Sequence, residues 1–443
     1  MQEFRESKGK TQHAIRNTEK VKPVKLSEIK SSASGRISSG IEEFDRVLGG
    51  GFVAGEVILL AGEPGVGKST LLLGLVKGMG ELRGLRENSI FYVSGEESAE
   101  QVKMRAERLG VKGENLLLLA ETNVERIIEE VRNEKCEAGN GSVKLENKDN
   151  SSNHPSNFNI QPPISNFQLL IIDSIQTLWS EDFEGGPGSV SQVKGCAQKL
   201  LEFVKKNNLC LILVGHVTKE GEVAGPMILS HMVDAVFFLE GERYADLRLL
   251  RGLKNRFGPT DEVGVFKLTE KGMEEVKDPS GLFLQPGEGE KCEVGSVTTC
   301  AMEGTRPMLV EIQALVTQSF SPMPRRVVSG VDYNRVLLLT AVLQKNLNIP
   351  LYNQDIYVKV GGGFKVSEPA ADLGICLAIM SSFKNKSLPV KVCAFGEIGL
   401  LGEVRRVNGE EKRGKEAKKL GFRTILSSGT VRNLREAVKT IEK

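Results

Sequence analysis

Residues 62–70 read GEPGVGKST, directly after the apolar run VILLA (residues 57–61) and directly before LLLGLVKGM (residues 71–79). The pattern is G-x-x-x-x-G-K-[ST], set between a strand-length run and a helix-length one, the context in which such a loop wraps phosphate. Glycines let consecutive backbone N–H groups turn toward one anion, and the helix that follows adds the positive end of its dipole. The stretch therefore predicts a nucleotide cradle made by Gly62, Glu63, Pro64, Gly65, Val66, Gly67, Lys68, Ser69 and Thr70. Lys68 is expected to bridge the β- and γ-phosphates and the Ser69 hydroxyl to reach Mg²⁺, making ATP and Mg²⁺ the expected cofactors. A plain glycine-rich turn would not require this flanking context.

Outward from the loop, short apolar runs alternate with amphipathic segments. VILLAG, SIFYVSG, LLLLA, QLLIIDS, CLILVGH and DAVFFLEG read as strands; helices are expected at about 68–80, 98–110, 123–134 and 190–207. That alternation predicts an α/β fold with a mostly parallel sheet covered on both faces. RLLRGLKNRF and EVGVFKL, joined by Gly258-Pro259, read as an antiparallel hairpin at its end. KDPSGLF (residues 277–283) breaks the rhythm and is the expected domain boundary. Beyond it, SVTTCAM and MLVEIQALV, helices near 332–346 and 369–382, strands at VKVCAFGEI and RTILSS, and a closing helix predict a second, α+β domain over residues 278–443.

Residues 1–34 form a basic, polar segment read as a flexible tail, and about 136–166, rich in Asn and Ser, as a surface insertion. Seven cysteines are scattered without any C-x-x-C, so they read as reduced side chains and no zinc is expected. No apolar run approaches the roughly 20 residues that span a bilayer, and the N-terminus has no signal-like apolar stretch; a cytoplasmic protein without a membrane segment is expected. With a net charge of +2, any surface for a polyanion must be local.

Three strand ends carry further chemistry. Asp173 closes LLIID, the position of a carboxylate that holds Mg²⁺ through water. Glu96 and Glu97 close FYVSGEES, and one of them is the candidate base for the attacking water, though helix capping would also place acids here. His216 closes CLILVGH and is the candidate γ-phosphate sensor.

The combination RISSGIEEFDRVLGGGFVAGEVILLAGEPGVGKSTLLL, YVSGEES, IIDSIQT, PGSVSQV, LVGHVTKEGEVAGP, LKNRFG, EGTRPMLVEIQALV and FGEIGLLGEVR resembles the bacterial RadA (Sms) family of DNA repair and recombination ATPases, from about residue 35 to the C-terminus. The resemblance implies a RecA-like P-loop ATPase core (residues 35–277) assembled into a homo-hexameric ring, related in layout to DnaB-type helicases. It implies a Lon-protease-like C-terminal domain, and ATP-driven movement on single-stranded DNA that promotes branch migration of recombination intermediates with RecA. Members of the family normally begin with two C-x-x-C pairs. Either this chain lacks that zinc module or the frame begins upstream. A RecA-family nucleotide switch that gates protein partners is the alternative function.

A Lon-type peptidase needs a serine nucleophile and a later lysine. In KVSEPAADLG the nucleophile position holds Ala370, and the lysine position falls on or near Glu411, beside Lys412. Ser367 is three residues off, so the domain is expected to be proteolytically inactive.

Cations offered to DNA are Lys194 and Lys219 in or beside two glycine-rich loops, and Arg325, Arg326, Lys345, Lys359, Lys365, Arg405 and Arg406 in the second domain. In KNRFG, Lys254 and Arg256 share one strand parity with Asn255 opposite, followed by Phe257 and Gly258. Lys68 already serves the phosphates, so this second basic pair is read as a finger for the next subunit's ATP site.

Overall fold

A computed structural model of the chain describes residues 25, 35–82, 89–139, 169–216, 226–241, 246–278, 280 and 293–442. The basic tail apart from Lys25, all but the first few residues of the 136–166 insertion, and Lys219 with nearly all of its loop lie outside the described residues.

The first domain is built on one nine-stranded sheet. In chain order its strands are β1 (Val57–Gly62), β2 (Ile90–Ser94), β3 (Leu116–Ala120), β4 (Leu169–Asp173), β5 (Cys210–His216), β6 (Ala235–Gly241), β7 (Leu247–Asn255), β8 (Val263–Thr269) and β9 (Gly272–Glu275). Their order in space is β3-β2-β4-β5-β1-β6-β7-β8-β9. The first six run parallel, and the last three add on antiparallel. Every residue of β1 is buried, as a parallel strand covered on both faces requires. Ile58 and Leu60 enter one core with the helix Lys68–Gly80, while Val57 and Leu59 enter the other with the helix Val190–Asn207. β4 divides likewise, with Leu169 and Ile171 on one face and Leu170 and Ile172 on the other.

The second domain holds a six-stranded mixed sheet. Its strands are β10 (Ser296–Glu303), β11 (Arg306–Gln318), β12 (Arg326–Ser329), β13 (Gln354–Val360), β14 (Val392–Ala394) and, after the small pair β15 (Glu397–Ile398) and β16 (Val404–Arg405), β17 (Thr424–Leu426). The helices Tyr333–Leu347 and Asp372–Lys384 share one apolar core with it. No strand pairs between the two large sheets among the described residues. The domains meet through the turn between β10 and β11. Arg251 reaches Glu303 at 2.6 Å, Thr305 N donates to Asp261 O at 2.8 Å, and Arg306 donates to the buried Glu43 at 2.5 Å.

The expected strands of the first domain recur within a residue or two, but β9 and the helix Glu42–Leu48 were not expected. In the second domain β12, β13, β16 and the helix Glu410–Lys419 are additional, and the helix expected at 369–382 starts as a 3-10 turn, Pro369–Ala371, before Asp372–Lys384.

Candidate ATP-hydrolysis site

The phosphate loop leaves β1 at Gly62 and enters its helix at Lys68. Gly65 and Gly67 hold φ of +78° and +109°, the left-handed region where a side chain is strained. A Cβ on Gly67 would also meet Met273 Cε at 2.6 Å. From across the sheet, the buried Arg248 of β7 donates from Nε to Val66 O at 2.9 Å and fixes the loop from behind. No motif marks Arg248, because its contact lies 182 residues away in sequence.

Lys68 is almost fully buried, and its ammonium donates to Gly62 O and Glu63 O, each at 3.0 Å, and meets His216 Nδ1 at 3.0 Å. An ammonium has three donors and no acceptor, so Nδ1 accepts and the ring proton belongs on Nε2. That nitrogen lies 3.3 Å from Glu96 Oε1. Burial lowers the Lys68 pKa from 10.5 to about 8, against the opposing pull of Asp173 and Glu96. Burial, and then the Lys68 charge, also lowers that of His216, which keeps the ring neutral near pH 7. All three Lys68 donors are already engaged, so an incoming phosphate must displace a partner. His216 is the one that belongs to another strand.

Asp173 ends β4, and its Oδ2 accepts from the Tyr92 hydroxyl at 2.6 Å. Burial, then the Asp173 charge, pushes the Tyr92 pKa well above 10, so the phenol stays a donor. The next residue, Ser174, is fully buried and donates to Glu96 Oε1 at 2.7 Å. Glu97 faces elsewhere: its carboxylate pairs with Arg105, and its backbone exchanges hydrogen bonds with Ser94 Oγ. Glu96, Asp173, His216 and Lys68 therefore share one site, whereas the Glu97 carboxylate is engaged by Arg105.

The donor set suits Mg²⁺. Ser69, partly exposed at the first turn of the helix, offers a hydroxyl, and Asp173 a carboxylate oxygen that would reach the ion through water, both hard oxygen groups. Among the described residues no group of three or more His, Cys, Asp or Glu could hold a metal. Few protein oxygens, with nucleotide phosphates and several waters completing the shell, is the usual arrangement for this ion. When bound, it would neutralise charge on the phosphate oxygens.

KNRFG lies at the other end of the sheet. Asp234, just before β6, accepts from Val57 N at 3.1 Å at the start of β1, whereas the phosphate loop follows the end of β1. Five residue steps at about 3.3 Å separate those ends by roughly 16 Å. Lys254 donates to Ser230 O and Val233 O, each at 2.7 Å, and Arg256 pairs with Asp234 at 3.1 Å while 54% of its side chain stays exposed. Arg256 lies one residue beyond β7, so its direction is set by Asp234 as well as by strand parity. Asn255 donates to Val47 O at 3.1 Å, and Arg36 donates to Phe257 O. A Cβ on Gly258 would meet Leu48 O at 2.7 Å.

Residues 37–277 match the family described as ATPase: KaiC. The chain is 43% identical to a DNA repair protein RadA of Bacillus subtilis (strain 168), over 94% of this chain and 82% of that protein. It is 44% identical to the one of Streptococcus pneumoniae (strain ATCC BAA-255 / R6), over 96% and 92%. The chain belongs to the RadA family of DNA repair proteins. As a RadA-family chain with a RecA-type P-loop domain, it is an ATP-hydrolysing enzyme. A solved KaiC-like protein of Pyrococcus horikoshii OT3 aligns with 55% of this chain and 99% of its own at 19% identity, with a TM-score of 0.40.

The remaining expected residues are dispersed. Lys194 is exposed near the start of Val190–Asn207, and Arg325, Lys345, Lys359 and Lys365 are exposed on the second domain. Arg326 instead donates to the carbonyls of Arg325, Leu351 and Gln354. Arg405 pairs with Glu397 and Glu403, and Arg406 lies 3.9 Å from Glu410. Ala370 is buried, Ser367 is exposed, and Glu411 and Lys412 are exposed on the helix Glu410–Lys419. No helix among the described residues is long and apolar enough to cross a membrane.

Proposed function

We propose that this chain is a DNA-stimulated ATP motor of homologous recombination and repair, which works as a homo-hexameric ring and drives branch migration on single-stranded DNA. One observation carries the reading. Arg256 stands at the end of the sheet opposite its own phosphate loop, half exposed, beyond reach of its own γ-phosphate. A cation there serves catalysis only if a second subunit brings its ATP to it, as a ring does.

In this reading Lys68 and the loop residues 62–70 hold ATP, Ser69 and Asp173 hold Mg²⁺, and Glu96 orients the attacking water. His216 passes the state of the γ-phosphate to the loop that follows it, and Lys254 and Arg256 complete the neighbour's site. Residues 35–277 form the ATPase domain. Residues 278–443 form a Lon-like domain without peptidase activity, which supplies ring contacts and DNA-facing cations. RecA and branched recombination intermediates are the partners, and the cytoplasm is the compartment. The burial of Ala370 and the exposure of Glu411 support a domain without a peptidase site.

The test is ATP turnover with and without single-stranded DNA at low salt, read beside DNA affinity. Stimulation is expected, with affinity falling by on the order of 10³ between about 50 and 200 mM salt if about six phosphates are contacted. Turnover indifferent to DNA would favour the nucleotide switch, and affinity flat with salt would remove the cationic channel.

A further inference from the structure

β2 and β4 lie side by side in parallel, with Ser94 opposite Asp173 and Tyr92 opposite Ile171. Beyond that pairing, three contacts tie the end of β2 to the residue that closes β4 and its successor. Gly95 N donates to Asp173 O at 2.9 Å, Ser174 Oγ donates to Glu96 Oε1 at 2.7 Å, and Tyr92 Oη donates to Asp173 Oδ2 at 2.6 Å. The Tyr92 ring is 2% exposed and belongs to the same apolar core as Leu72 and Leu75 of the phosphate-loop helix. The ring is thus held by packing, and its hydroxyl reaches one carboxylate oxygen and leaves Oδ1.

We propose that Tyr92 is a positioning residue for the metal site, holding Oδ2 of the Asp173 carboxylate so that Oδ1 is left for the magnesium shell. The inference rests on reading Asp173 as the magnesium carboxylate. A carboxylate at a strand end rotates freely about its last bond unless one oxygen is held, and each misdirected rotamer lowers metal affinity. Hydrogen-bonded outer partners of metal ligands typically contribute about 10- to 100-fold to affinity. A buried tyrosine hydroxyl also needs a partner for its own sake, so a purely structural role must be separated by experiment.

The separating experiment uses the full chain and a fluorescent ADP analogue, titrated with Mg²⁺ from an EDTA baseline, for the wild type, Tyr92→Phe and Asp173→Asn. Phenylalanine keeps the ring packing and removes only the hydroxyl. Tyr92→Phe is expected to raise the half-saturating Mg²⁺ about tenfold, with binding in EDTA unchanged and a modest fall in the unfolding midpoint from the lost hydrogen bond. Asp173→Asn is expected to lose the magnesium-dependent gain. A Tyr92→Phe titration that matched wild type, beside a shifted Asp173→Asn, would overturn the role of Tyr92 alone. If Asp173→Asn also matched wild type, the metal reading of Asp173 would fall first. If Tyr92→Phe lost binding even in EDTA, the hydroxyl would serve the fold and not the carboxylate.

Discussion

Ser174 donates its hydroxyl to Glu96 Oε1 at 2.7 Å, which holds this carboxylate in the candidate site with His216 and Lys68, while the next residue, Glu97, pairs with Arg105. A water-positioning base typically contributes about 10²- to 10⁴-fold to the rate. Glu96→Gln is therefore expected to lower kcat by that range with nucleotide binding retained. Glu97→Gln gives up a partly exposed ion pair of about 1 kcal/mol or less and should stay within a few-fold of wild type. Steady-state turnover and single-turnover binding of both variants check the assignment; equal losses would return the base to either residue.

The difference between these two neighbours shows where sequence reading stopped. The phosphate loop was legible because its chemistry is contiguous, and β1, β4 and β5 because strands covered on both faces are unbroken apolar runs. Glu96 and Glu97 were inseparable because only tertiary partners, Ser174 and Arg105, distinguish them. β13 is hard to recognise because QDIYVKV sets Asp355 and Lys359 among the buried Ile356, Val358 and Val360, so its apolar residues never form a strand-length run. The helix Glu410–Lys419 buries only Arg413 and Ala417, too thin an apolar stripe to register.

Arg256 and Lys68 make a second prediction, about assembly. Alone, Lys68→Ala should abolish hydrolysis, and Arg256→Ala should lose about 10³- to 10⁵-fold, or roughly 4–7 kcal/mol of barrier. Mixed together, an Arg256→Ala subunit retains an intact phosphate loop and a Lys68→Ala subunit retains an intact finger, so some shared sites regain both. Turnover of the mixture well above either variant is the expected result. Mixed assemblies of full size without recovery would count against a finger that acts between subunits.

Glu56 gives a prediction in pH. It is fully buried immediately before β1, its Oε2 accepts from Val53 N at 3.0 Å, and burial raises its pKa from 4.5 to about 7. The Asp234 charge acts in the same direction, while the Val53 hydrogen bond and Arg36 act against it. The folded pKa lies above the unfolded one, so the folded state binds the extra proton between those values, and this contribution is lost as pH rises from 4.5 through 7. Denaturant unfolding across that window should show wild-type stability declining relative to Glu56→Gln by roughly 3 kcal/mol. Parallel curves would mean that Glu56 is charged in the folded protein.

Arg413 and Glu368 carry the last prediction, which also bears on the proposed lack of peptidase activity. Arg413 is completely buried and binds Glu368 through two parallel bonds of 2.8 and 2.6 Å, and it donates to Asn408 O at 2.9 Å. Glu368 also accepts from Met302 N at 2.6 Å, so the pair ties β10 and the helix Glu410–Lys419 to the turn that carries Ala370. Removing one partner of such a pair strands the other, and the cost depends on which is left. Glu368→Ala would leave a buried guanidinium without its counter-charge and should cost about 3–5 kcal/mol. Arg413→Met leaves a carboxylate that is 27% exposed and can rehydrate, so a loss of roughly 2 kcal/mol is expected. Denaturant unfolding of both singles and the double variant checks the order, with the double costing less than the sum. Restoring a hydroxyl with Ala370→Ser should produce no peptide cleavage, because the residue is buried and the position for its lysine falls on or near Glu411, an exposed acid beside the equally exposed Lys412.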